Sequence, residues 1–173
     1  MRVMSMIAFA LLWAGSSAAV ALTPDTTTGW LEGNWICKGW SHNAKKERFD
    51  ATISLSVTKT LNGVWLDHTY VEEQTPNNPE PYTIKIMVSA KPDAAGNVTL
   101  IGFVNTPTPF RYELEAQQWA NDQLVWRGTV IGRTPKPIEY KMIYSEYTGN
   151  SFRWVTSHGE NGPQTSDITC NRL

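Results

Sequence analysis

The chain is poor in the residues from which most protein chemistries are built. Its 173 residues include two cysteines and three histidines. His42, His68 and His158 stand far apart, and none lies at metal-ligand spacing from another or from a cysteine, so no metal site is expected. No Gly-x-Ser-x-Gly elbow, glycine-rich phosphate loop or His-Glu-x-x-His motif occurs. Asp67 beside His68 does not make an acid–base pair on a strand, where neighbours point to opposite faces. Glu72-Glu73 and Lys45-Lys46 are expected as solvated charges near turns, and Glu146 as the one carboxylate with a route to an inward face. No constellation meets the geometry of an active site, so neither catalytic residues nor an enzyme activity is expected.

An excess of one charge is also missing, with 15 lysines and arginines against 16 aspartates and glutamates. Without a basic stripe, nucleic acid is not an expected partner. Long apolar runs are absent after the first residues. Arg2 followed by Met6-Ile-Ala-Phe-Ala-Leu-Leu-Trp-Ala14, and then small residues up to Ala19-Val-Ala21, reads as a signal peptide over 1–21. Its apolar core is short of the about 20 residues that span a bilayer, so no transmembrane segment is expected. Residues 22–173 are then one domain, exported to a bacterial periplasm or secreted.

Helical periodicity is the last thing lacking. From Trp30 onward apolar residues recur with period two, and turn signals interrupt them every ten to fifteen residues. Phe49, Ala51, Ile53, Leu55 and Val57 alternate with Asp50, Thr52, Ser54, Ser56 and Thr58. Strands are predicted near 31–41, 47–60, 64–74, 82–91, 97–105, 110–119, 123–132, 137–147, 151–158 and 164–172. Links this short make consecutive strands antiparallel neighbours. Such a meander hides its edges by closing into a barrel or splitting into a sandwich.

The cysteines favour the barrel. Export exposes Cys37 and Cys170 to an oxidising compartment, where a disulfide is expected. One lies in the first predicted strand and the other in the last, so the bond would join the two ends of the meander. If they face each other across an antiparallel seam, Trp35 falls opposite Arg172 and on the same face, where guanidinium stacks on indole. Trp30 would then cap the barrel end, and Trp40 would face outward.

Gly33-x-Trp35 in the first strand, with Arg172 to cover it from the last, resembles the calycin superfamily, the lipocalins and their relatives. Leu31, Gly33, Trp35, Cys37, Cys170 and Arg172 together are similar to the pattern of small exported bacterial lipocalin-like domains without an assigned activity. The strand count is closer to the ten-stranded fatty-acid-binding and nitrobindin-like barrels. The resemblance implies an all-β, antiparallel up-and-down barrel of about eight to ten strands, with Trp35 plugging one end. Two features of those families are missing, a helical lid after the first strand and a C-terminal helix.

Function is sought in the lumen. A two-residue Asn62-Gly63 turn pairs Leu61 with Val64, hence Val57 with His68 and Leu55 with Tyr70, which sends His68 and Tyr70 inward. Strand parity sends Tyr82, Tyr112, Trp126, Tyr140, Tyr144, Trp154 and His158 the same way. Aromatic walls with a few polar tips describe a site for a small apolar or amphipathic molecule. They equally describe a filled core with its polar tips satisfied. Two further readings stand beside these. A lumenal His158, or His68, would ligate haem iron as in nitrobindin-like barrels. A protein partner would instead meet the polar tail Leu22–Thr28 or the stiff loops Thr75–Pro81, Thr106–Pro109 and Thr134–Pro137.

Overall fold

Alternation of apolar and polar side chains gives each strand one face for a core and one for water. The chain uses ten such strands to make a single closed sheet. The computed structural model describes residues 28–43, 45–105, 109–117 and 119–173. The expected signal segment 1–21 and all of the polar tail except Thr28 lie outside the described residues, as does most of the Thr106–Pro109 loop.

The strands are β1 (Gly33–His42), β2 (Arg48–Thr60), β3 (Trp65–Glu72), β4 (Thr83–Ser89), β5 (Val98–Asn105), β6 (Phe110–Ala116), β7 (Gln123–Ile131), β8 (Ile138–Ser145), β9 (Ser151–Ser157) and β10 (Gln164–Arg172). Each pairs antiparallel with its sequence neighbours, and β1 pairs with β10 to close the barrel. The fold class expected from the sequence is therefore the one observed. Leu31 differs from the expectation. It belongs to a short 3-10 turn over Gly29–Leu31, which carries Trp30 and Leu31 into the barrel end rather than along its wall.

The seam holds the architecture. Cys37 pairs with Cys170 and is bonded to it, and Trp35 pairs with Arg172. The Arg172 guanidinium lies 4.2 Å from the centre of the Trp35 ring. Its Nη1 and Nη2 donate to the Glu32 and Trp30 carbonyls at 2.6 and 2.8 Å. Trp35 Nε1 donates to the Leu31 carbonyl at 2.8 Å, so the 3-10 turn is pinned from both sides. Gly33 is required here twice over. Its φ of +130° lies where L side chains are strained, and a Cβ would stand 2.5 Å from Arg172 Nη1.

Inward residues at this end are large and apolar and pack into the lumen. Trp35, Ile53, Leu66, Leu100, Leu114, Leu124, Trp126 and Phe152 are all buried. Trp30 packs against Trp119, Tyr144, Tyr147 and Phe152 with ring centres 4.7–6.1 Å apart, mostly edge to face. The outer face carries ion pairs such as Lys85–Asp67, Arg127–Glu160 and Arg153–Asp167. Among the described residues no helix is long and apolar enough to cross a membrane.

The Asn62-Gly63 turn forms with both residues at positive φ, and the β2–β3 register places Val57 opposite His68 and Leu55 opposite Tyr70. His68 is thus buried, and its Nε2 has no hydrogen-bond partner among the described residues. Burial lowers its pKa to about 4, against a smaller opposing pull from Asp67.

Two stability measurements follow from this arrangement. The disulfide closes a loop of 133 residues' separation, for which chain entropy gives about 5 kcal/mol. Replacing Cys37 and Cys170 together by serine should lower the unfolding free energy by about 3–5 kcal/mol in chemical denaturation. His68 adds a pH dependence. The unfolded imidazole takes a proton near pH 6.5 and the folded one near 4. Its share of stability is therefore complete above 6.5, falls as pH drops towards 4, and levels off below. The loss amounts to about 3 kcal/mol. A His68→Phe variant should show a pH profile flatter by that amount between 6.5 and 4; an unchanged profile would contradict the assignment.

Candidate functional site

Plugging one end leaves the other open, and the strand directions decide which residues meet there. The connections after β1, β3, β7 and β9 gather at the same end of the barrel. They surround a cavity of about 480 Å³, within the common range of small-molecule sites. Its floor is set by Tyr70, Trp154 and Ile168, above the aromatic plug.

Six of the nine residues expected in the lumen line this cavity: Tyr70, Tyr82, Tyr112, Tyr140, Trp154 and His158. The other three point inward too, but not into it. His68, Trp126 and Tyr144 are buried among the side chains of the closed half. Parity fixes the face of a residue and not its height along the barrel axis. Height alone separates these two groups.

The phenols are arranged in two sets. Tyr112 and Tyr140 lie with ring centres 5.0 Å apart on one wall, and Tyr82 meets Phe110 edge to face at 6.3 Å. Tyr70 is buried beneath the other side and meets Trp154 at 5.6 Å. Burial pushes the Tyr70 and Tyr112 hydroxyls well above the usual phenol pKa, and raises Tyr140 and Tyr82 as well. All four remain neutral hydrogen-bonding groups at physiological pH.

The inward carboxylate is Glu72, which corrects two expectations. Glu146 adopts a positive φ of 55° at the end of β8, and its carboxylate projects outward to Arg153 Nη1 at 2.9 Å. Glu72 is buried at 4% exposure and lines the cavity, not the solvated turn. Tyr70 already pointed to this, since residues two apart on a strand share a face. Glu72 Oε1 accepts from the Tyr70 hydroxyl at 2.7 Å. Its Oε2 accepts from Asn78 Nδ2 at 2.9 Å and from the Tyr82 backbone N–H at 3.0 Å. The carboxylate thereby ties the proline-rich 75–81 connection down onto the wall.

Asn43 fixes the adjoining rim. It is buried, accepts from the Lys45 and Glu47 N–H groups at 2.9 and 3.0 Å, and donates to the Asn77 carbonyl at 3.1 Å. Two neighbouring connections are thus bound to each other by the protein's own groups.

A feature without a sequence signal completes the wall. The β9–β10 register shifts between Gln164 and Ser166, a bulge at Thr165. Adjacent strand residues would otherwise face opposite ways. The extra residue lets both Thr165 Oγ1 and Ser166 Oγ approach Thr156 Oγ1 at 2.7 Å. The result is a patch of hydroxyls beside Tyr140 on the cavity wall.

Of the two histidines considered as haem ligands, one borders the cavity and one does not. His68, the deep imidazole, does not border the cavity, and His158 stands at the rim, where it packs at a tilt on Tyr140. Among the described residues no cluster of three or more His, Cys, Asp or Glu residues is placed to hold a metal ion.

A closed, ten-stranded antiparallel barrel with its first and last strands bonded, plugged at one end and open at the other, is compatible with the calycin-like folds. The chain matches no protein-family profile and is similar to no curated protein sequence.

The Glu72 junction makes a specific prediction. Glu72→Ala removes the acceptor of three donors at a buried site, which should cost about 2–4 kcal/mol of stability. Amide exchange should accelerate in 74–82 while the closed end keeps its protection. Unchanged exchange in that segment would show that Glu72 does not hold the connection.

Proposed function

We propose that the protein is an exported, non-catalytic binding protein that carries a small apolar or amphipathic molecule in its barrel lumen. The observation that carries this reading is the cavity of about 480 Å³ with aromatic walls and a pre-formed rim. An aromatic lumen rewards apolar contact, while its phenols, Thr156, Thr165 and Ser166 supply a few oriented polar groups.

The absence of catalysis is part of the proposal and has its own support. Glu72 already accepts three hydrogen bonds from the protein's own groups, which occupy both of its oxygens. The phenols around it are held protonated. Export rests on the charged and apolar pattern of residues 1–21.

One experiment addresses both halves of the reading. Native mass spectrometry of the protein purified from its own host should show a chain starting near Leu22, together with adducts of small mass that organic solvent removes. Titration of the emptied protein with an apolar fluorescent dye should saturate at one site. A chain retaining residues 1–21 would contradict export, and failure to take up any dye would contradict the carrier.

A further inference from the structure

We propose that the barrel selects compact aromatic anions: a flat ring occupies the lumen and its carboxylate or sulfonate stays at the rim, on Arg133 and Lys46. The inference deepens the carrier reading and rests on it.

The first ground is charge. Arg133 and Lys46 both border the cavity and reach it from the β7–β8 and β1–β2 connections, which lie on opposite sides of the ten-strand ring. Elsewhere on the barrel Lys59, Lys85, Arg111, Arg127, Lys141 and Arg153 are each paired with a carboxylate. Lys38, Lys45, Arg48, Lys91 and Lys136 make no ion pair among the described residues, but none of them lines the cavity. Neither Arg133 nor Lys46 makes an ion pair among the described residues; Arg133 rests only on the Phe110 ring, 5.4 Å from its centre. His42 and His158 border the same opening. After burial, the influences that lower the His158 pKa are Arg133, Lys46 and His42, so all four basic groups act on one place. Glu72 is the one carboxylate on the described lining, and its oxygens are occupied by Tyr70, Asn78 and Tyr82. The charged side chains that line the mouth without a carboxylate partner are therefore basic.

The second ground is depth. On β10 the wall runs from Gln164 to Ile168. Four steps of about 3.3 Å on a strand tilted by about 40° descend roughly 10 Å. An extended lipid acyl chain needs about 15 Å, half the hydrocarbon thickness of a bilayer. The aromatic plug leaves no room to continue downward, so a ring fits where a long chain does not. Trp154, Tyr112 and Tyr140 offer faces and edges to such a ring. The Trp154 indole N–H, buried without a partner among the described residues, adjoins the same space.

Paired dyes separate this inference from the carrier reading. Anilinonaphthalenesulfonate and N-phenylnaphthylamine share an aromatic body and differ in the sulfonate. The wild-type protein should bind the sulfonate about tenfold more tightly, and palmitate should not displace it. In the Arg133→Gln/Lys46→Gln double variant the preference should shrink to within about twofold, with affinity for the neutral dye unchanged, which also reports that the variant is folded. Equal affinity of the wild type for both dyes, a preference that survives in the variant, or displacement by palmitate would overturn the selection of compact anions while leaving a carrier. Binding of neither dye would overturn the carrier reading and this inference with it.

Discussion

The stacking of Arg172 on Trp35 across the β1–β10 seam is the interaction on which the rest of the structure depends. A meander of ten strands has two open edges, and each would be a template for aggregation. Cys37–Cys170 joins those edges covalently. Arg172 then uses the joined edge, covering the Trp35 ring and donating to the Trp30 carbonyl of the 3-10 turn and the Glu32 carbonyl just after it. A guanidinium suits this task because its planar fork stacks and donates at once. Gly33 is the accommodation the backbone makes for it.

Once the turn is pinned, Trp30 is delivered into the centre of the barrel end, and Phe152, Tyr144, Tyr147 and Trp119 assemble around it. That plug divides the barrel into two unlike halves. The closed half is filled by large side chains and carries the hydrophobic stabilisation. The other half is released from the need to be filled, and its walls can hold phenols, hydroxyls and a buried carboxylate. Stability and a cavity are thus assigned to opposite ends of the same strands.

Much of the fold was legible because period-two patterning and turn chemistry are local signals. The pairing of Val57 with His68 followed from one Asn-Gly turn, and the pairing of Trp35 with Arg172 from two cysteines. The site was legible only as a set of inward residues. His68, Trp126 and Tyr144 face the lumen and still lie outside the cavity, because the depth of the plug depends on packing among residues distant in sequence. Glu72 was misjudged for a different reason. Two adjacent glutamates near a loop look solvated, yet the Asn78 amide folds back and, with the Tyr70 hydroxyl and the Tyr82 N–H, supplies the donors that make burial tolerable. The Thr165 bulge left no mark in the apolar pattern, since serine and threonine are at home on either face.

The central claim is that the open half keeps its cavity because the closed half bears the packing. A crystal structure of the protein freed of bound molecules tests this most directly. The account predicts that Tyr70, Tyr112, Tyr140 and Trp154 keep their positions around a space of about 480 Å³, with Asn43 and Asn78 still tying the rim. A lumen closed by rotation of Tyr112 and Tyr140 into it would contradict the claim, and would make the barrel a filled core from end to end.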